Sequence, residues 1–225
     1  MPSEQDFPIV VGRPETLSSL VGNGIAVDID ETLSDTMMEW VGRALVTFGN
    51  PENLTPEAFI AKYRYIYRAP YMATPEVEQW RYEQKYSNEL QMRLPVIPGA
   101  LDGLRAVDSL VPVSCYVTAR PAEVMLGTQR WLMDHGFPQA PLVHSPDHVD
   151  HSVSHIWKGR LLESASPRIS GIIDDHPALL DSLSASYAGS IFIYNVASIP
   201  TLRPRAYACP DWPSVVEKVK EAFAS

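Results

Sequence analysis

Short apolar runs alternate along the chain with longer stretches in which apolar residues recur every three or four positions. That rhythm predicts βαβ units and a mainly parallel sheet. The runs are Gly24 to Asp30, Val111 to Thr118, a weaker one from Pro141 to His144, Ile169 to Asp175, and Ile191 to Tyr194. Helical patterns lie between and after them. One starts with Pro121 in its first turn, where a missing N–H costs nothing, and is closed by Gly136. Others cover Ile156 to Ser164, a stretch opened by Pro177, and Pro213 to Phe223.

Residues 36–94 break the alternation. They hold no convincing strand but three helical patterns: Met37 to Phe48, Pro56 to Tyr67 after the capping candidate Thr55, and Pro75 to Met92 after Thr74. A helical segment between the first and second strands of a parallel sheet reads as an insertion. The expectation is an α/β core built from residues 1–35 and 95–225, carrying an all-helical cap over residues 36–94.

Composition narrows the class. Hydrophobic residues make up 45% of the 225 and charged residues 20%, an ordinary globular balance. The net charge of −9 argues against a duplex nucleic-acid partner, which would need a basic stripe. An anionic substrate must then be drawn in by a metal ion or a few placed cations. Cys115 and Cys209 have no redox or metal-site spacing and read as buried free thiols. The proline-broken, acidic start is no signal peptide, and no apolar run approaches the roughly 20 residues that span a bilayer. The expected setting is cytoplasmic, with no membrane partner.

The sharpest chemistry sits where strands end. Asp28-Ile29-Asp30-Glu31-Thr32 closes the first run, and residues i and i+2 of a strand share a face, so two carboxylates reach one site. A second pair, Asp174-Asp175, follows Ile172-Ile173. Acids often end strands merely as solvated turns, but two acidic clusters on parallel strands suit a hard cation, magnesium (Mg2+), shared with a phosphate. Thr118 ends the second run and offers a hydroxyl for a phosphate oxygen. Lys158, the only lysine between Lys85 and Lys218, lies 16 residues before Asp174.

The order acid pair, hydroxyl, lysine, acid pair resembles the four motifs of the haloacid dehalogenase superfamily, and the resemblance covers the chain from about residue 24 onward. It implies a Rossmann-like core whose central strand is flanked by those bearing Thr118 and the Asp pair, and a C1-type cap. It further implies a Mg2+-dependent phosphomonoester hydrolase, with a small phosphorylated substrate such as a nucleotide. In that scheme Asp28 is the nucleophile and forms an aspartyl-phosphate, while Asp30 is general acid and then base. The metal would be held by the Asp28 carboxylate, the Asp30 carbonyl and Asp175, with Asp174 its neighbour or water-mediated partner. Thr118 and Lys158 would bind phosphate. The dehalogenase branch lacks the second Asp of the first motif, so Asp30 favours phosphoryl transfer. A phosphotransferase or mutase of the same superfamily is the alternative, and a non-catalytic phosphate-binding module a further one.

Other residues invite either of two readings. Arg120 contacts phosphate or substrate at the mouth, or else pairs with a surface acid. Glu31, at a variable motif position, is structural. The cap's aromatic and basic residues, with Arg64 and Tyr67 as substrate-binding candidates, either face the substrate or pack between helices. His144, His148, His151 and His155 suggest a transition-metal site by density alone. Their spacing fits no ligand pattern, and a loop at the site rim without its own metal is the preferred reading. His176 orients the Asp pair or begins a turn.

Overall fold

The computed structural model describes residues 3–13, 23–146, 149, 153–199 and 205–224. Among them, seven strands form one all-parallel sheet: β1 (Ile9–Val11), β2 (Gly24–Asp28), β3 (Val113–Thr118), β4 (Leu142–His144), β5 (Ile169–Asp174), β6 (Ser190–Tyr194) and β7 (Ala206–Cys209). Their order is β1-β4-β3-β2-β5-β6-β7, so β2 is central, with β3 and β5 beside it. This is the Rossmann-like arrangement expected from the sequence. Asp28 lies level with Val117 of β3, and Val27 with Ile173 of β5, so three strand ends bring their terminal residues to one place.

The β2 residues Gly24 to Asp28 are all buried because helices cover both faces. On one face Ile25 and Val27 meet Leu104 of α5 (Ala100–Leu110), Trp131 of α6 (Met125–His135) and Trp212 of α8 (Trp212–Phe223). On the other, Ala26, Val117 and Ile172 meet Leu161 and Leu162 of α7 (Ser154–Ala165) and Leu179 of a 3-10 turn at Pro177–Ser182.

Residues 36–93 contain only helical elements: α1 (Thr36–Phe48), α2 (Pro56–Tyr63), α3 (Pro75–Lys85), α4 (Asn88–Arg93) and short 3-10 turns. The side chains of Thr55 and Thr74 cap α2 and α3, as their positions suggested. A separate apolar cluster joins Val41, Leu45, Phe59, Ile66, Met72 and Val77. Leu90 and Leu94, by contrast, pack with the sheet's own cluster. There α4 lies close on α6: Asn88 donates to the carbonyl of Glu123 and accepts from Gly127 N–H, and a β-carbon on Gly127 would sit 2.5 Å from the Asn88 carbonyl oxygen. The segment leaves and rejoins the core side by side, with Asp35 N–H donating to Pro95 O (2.9 Å) and Ile97 N–H to Leu33 O (2.8 Å).

Several boundaries differ from the sequence expectation. The helix expected over Pro56 to Tyr67 stops at Tyr63 because Arg64 takes a left-handed φ of 62°. The pattern from Pro75 to Met92 breaks at Tyr86, and Ser87 caps a new helix through Leu90 N–H. Pro121 is extended rather than helical, and α6 begins after a 3-10 turn at Ala122–Val124. Pro177 opens that 3-10 turn and not an α-helix. The short strands β1 and β7 and the helix α5 were not anticipated. Both thiols are free and buried, as expected. No helix among the described residues is long and apolar enough to cross a membrane.

Candidate active site

The site forms at the C-terminal edge of β2, β3 and β5. A carboxylate oxygen from each of Asp28, Asp174 and Asp175 lies within 4.8 Å of the others, a clustering that mutual repulsion opposes without a cation. Lys158, reaching in from α7, supplies one. Its buried Nζ stands 2.8 Å from Asp28 Oδ1 and 2.7 Å from Asp174 Oδ2. Burial works against the ammonium charge, but Asp174 and Asp28 outweigh it and raise the lysine's pKa.

The acids answer differently. Burial drives the Asp28 pKa up strongly, Lys158 opposes this, and Asp174 and Asp175 add to it. Asp174 is fully buried with both oxygens engaged, Oδ2 by Lys158 and Oδ1 by the backbone N–H of His176 (2.8 Å). That backbone N–H holds Asp174 in place. Burial and then Asp174 lift Asp175 to about 7, Lys158 opposing. Glu31 is also raised to about 7, first by burial and then by Asp30, Asp35 and Asp28, against the lowering hydrogen bond from Met37 N–H. That bond, 2.6 Å to Glu31 Oε1, ties the turn after β2 to the first turn of α1. Glu31 itself has a φ of 59°.

Asp30 lies beside this cluster with other partners. Its Oδ1 accepts from Thr36 Oγ1 (2.6 Å) and Arg120 Nη2 (2.9 Å), and Arg120 Nε reaches both oxygens at 3.2 and 3.0 Å. Thr118, fully buried at the end of β3, contacts Asp30 Oδ2 at 3.4 Å and accepts from Arg120 N–H at 3.1 Å. Arg120 thus departs from the expectation of a surface pair. It is 6% exposed and pairs with a site acid, because all three guanidinium nitrogens are satisfied inside, by Asp30, Ser34 Oγ and Thr128 Oγ1. Ser34, Thr36 and Thr128 are participants the sequence did not flag. A lone hydroxyl residue several positions from a motif carries no distinguishing pattern.

The other candidates lie farther out. Arg64 donates to Tyr65 Oη at 3.3 Å, which raises its pKa, with Tyr65, Asp175 and Glu31 adding to the rise. The fields of the two site acids therefore reach this residue of the helical segment. The Tyr65 and Tyr67 rings stack with centroids 5.5 Å apart, Arg68 lies over Tyr65, and Arg81 lies over Tyr67, which is 47% exposed. Of the histidines, His144 is buried against Ser145 O and His155 stacks on His176; His148 and His151 lie outside the described residues.

The all-oxygen donor set and the excess of carboxylate over cation fit a divalent hard metal. No family model matches the chain. No curated protein matches it. Solved structures do. A HAD-superfamily hydrolase, subfamily IA, variant 1, from Geobacter sulfurreducens superposes with a TM-score of 0.53 at 17% identity, over 89% of this chain and 99% of that one. A chain assigned as a beta-phosphoglucomutase of Thermotoga maritima gives 0.53 at 18%, over 88% and 99%. L-2-haloacid dehalogenase from Xanthobacter autotrophicus, with chloropropionic acid covalently bound, gives 0.54 at 11%, over 89% and 99%. At such identities the likeness is one of fold.

Proposed function

We propose that this chain, whose fold is that of the haloacid dehalogenase superfamily, is a Mg2+-dependent phosphatase that hydrolyses a small phosphomonoester through an aspartyl-phosphate on Asp28. The observation that carries this reading is the placement of Lys158 between Asp28 and Asp174, with Asp175 adjoining and Thr118 one strand away. A nucleophile, a compensating cation and a hydroxyl at neighbouring strand ends match the demands of in-line phosphoryl transfer.

In this mechanism Lys158 holds Asp28 Oδ1 and leaves Oδ2 to attack phosphorus. The phosphorus–oxygen bond to the leaving group breaks as Asp30 passes its proton to that oxygen. Asp30 then takes a proton from water, whose oxygen attacks the phosphorus and releases inorganic phosphate from Asp28. Lys158 and the Thr118 hydroxyl bind the transferring oxygens. Mg2+, held by Asp28, Asp175 and the Asp30 carbonyl with Asp174 alongside, would neutralise charge on the transferring group. Asp175 is the direct ligand in this reading because Asp174 already spends both oxygens on Lys158 and His176. The helical segment acts as the cap, and its Arg64 and Tyr67 face the leaving group.

Asp30 separates this reading from halide displacement, which has no leaving oxygen to protonate. The test is hydrolysis of a phosphomonoester panel (nucleotides, sugar phosphates, aryl phosphates) with and without Mg2+, for native protein and Asp28→Asn. Native turnover that needs Mg2+ and falls about 10⁴-fold in Asp28→Asn supports the assignment. Substantial activity in Asp28→Asn refutes the covalent route, and transfer to a sugar phosphate instead of water would make the chain a mutase.

A further inference from the structure

We infer that Arg120 is a positioning residue for Asp30, acting on the acid–base steps without touching the substrate. The inference rests on the reading of Asp30 as the acid–base group. Its basis is that the two aspartates of the first motif face different buried cations: Lys158, shared with Asp174, for Asp28, and Arg120 for Asp30.

The two cations differ in what they impose. Lys158 is a point charge that Asp28 shares with Asp174. Arg120 meets Asp30 with a planar fork, Nε at 3.0 Å from Oδ2 and Nη2 at 2.9 Å from Oδ1, so it fixes the plane of the carboxylate as well as its place. The fork is itself anchored. Nη1 donates to Thr128 Oγ1 (3.0 Å), whose hydroxyl donates to Val124 O (3.0 Å), and Nη2 donates to Ser34 Oγ (2.9 Å). Thr36, the first residue of α1, also donates to Asp30 Oδ1. The carboxylate is gripped between the end of β3, the turn after β2 and the start of the helical segment.

Such a grip matters most to a group that must deliver a proton to one oxygen and take it from another. Geometric error of about 1 Å in a reacting group costs on the order of 10²-fold in rate. It matters least where the leaving oxygen needs little protonation.

The test compares an aryl phosphate (p-nitrophenyl phosphate) with the best alkyl phosphate of the panel, using Arg120→Met, Arg120→Lys and Thr128→Val, each alone and with Asp30→Asn. Arg120→Met is expected to lower kcat on the alkyl ester roughly 10²-fold, within the range of acid–base catalysis. The aryl ester should lose clearly less, with KM nearly unchanged. Arg120→Lys should follow it despite keeping the charge, and Thr128→Val should show the same leaving-group dependence at a few-fold scale. In the Asp30→Asn background these changes should add almost nothing. Multiplicative losses there, or equal losses on both esters, overturn the positioning role while leaving the phosphatase reading intact. If Arg120→Met fails to fold, Arg120→Lys and Thr128→Val decide by the same criteria. A native protein that hydrolyses no ester with Mg2+ overturns both.

Discussion

Lys158 Nζ lies 2.8 Å from Asp28 Oδ1, a charged pair buried at the end of the central strand. The same ammonium serves Asp174, so its loss strands two buried carboxylates. Lys158→Met should cost about 3–5 kcal/mol at pH 7, the scale for breaking one side of a buried pair. Chemical denaturation at pH 7 checks it, and turnover should be lost.

The acids raised by burial predict how metal-free stability changes with pH. The folded-state pKa values of Asp175 and Glu31, about 7, lie above their unfolded ones near 4, so the folded form binds the extra protons. Stability from these groups is greatest below pH ~4 and falls as pH rises through 7. Melting curves from pH 4.5 to 8 should show Asp175→Asn gaining on native protein as pH rises, by on the order of 3 kcal/mol. Added Mg2+ should stabilise native protein most above pH 7, where binding displaces no proton, and Asp175→Asn far less.

Arg64 and Tyr67 should separate by role. Arg64 feels the site acids, whereas Tyr67 is stacked on Tyr65 beneath Arg81. Arg64→Ala should lower kcat/KM on the preferred ester by about 10–100-fold, the worth of a hydrogen bond to a charged group. Tyr67→Ala should lower it less. Kinetics on the preferred ester and on p-nitrophenyl phosphate check this, and equal effects on both would make the segment a lid without selectivity.

Gly127→Ala probes the contact between α4 and α6. The new methyl would meet the Asn88 carbonyl at 2.5 Å and its side-chain oxygen at 2.8 Å, and the Asn88 side chain is held by hydrogen bonds with Gly127 N–H and Glu123 O. Overpacking of this kind costs about 1–3 kcal/mol, read as a lower denaturation midpoint.

The central strands and their acids were legible because each is a β-branched run ending in carboxylates, and Asp28, Asp174 and Asp175 do meet. Lys158 was legible as an isolated lysine, and it lands between the acids. Strands β1 and β7 were not, since three or four residues at a sheet edge carry too little alternation to stand out. Arg120 was legible as a candidate, but its partners were not. A sequence shows that a cation follows a strand, but its direction depends on partners such as Thr128 and Ser34 that only the fold brings together.

The paired linkers at Asp35–Pro95 and Leu33–Ile97 bear on how such a chain diversifies. Seen from the sheet, the chain between them leaves and returns at one point, with α4 packed on the core. Doubling the length of a closed loop costs only roughly 0.6 kcal/mol. Helices of other lengths can therefore be accommodated between these linkers while Asp28, Lys158 and Asp174 keep their places.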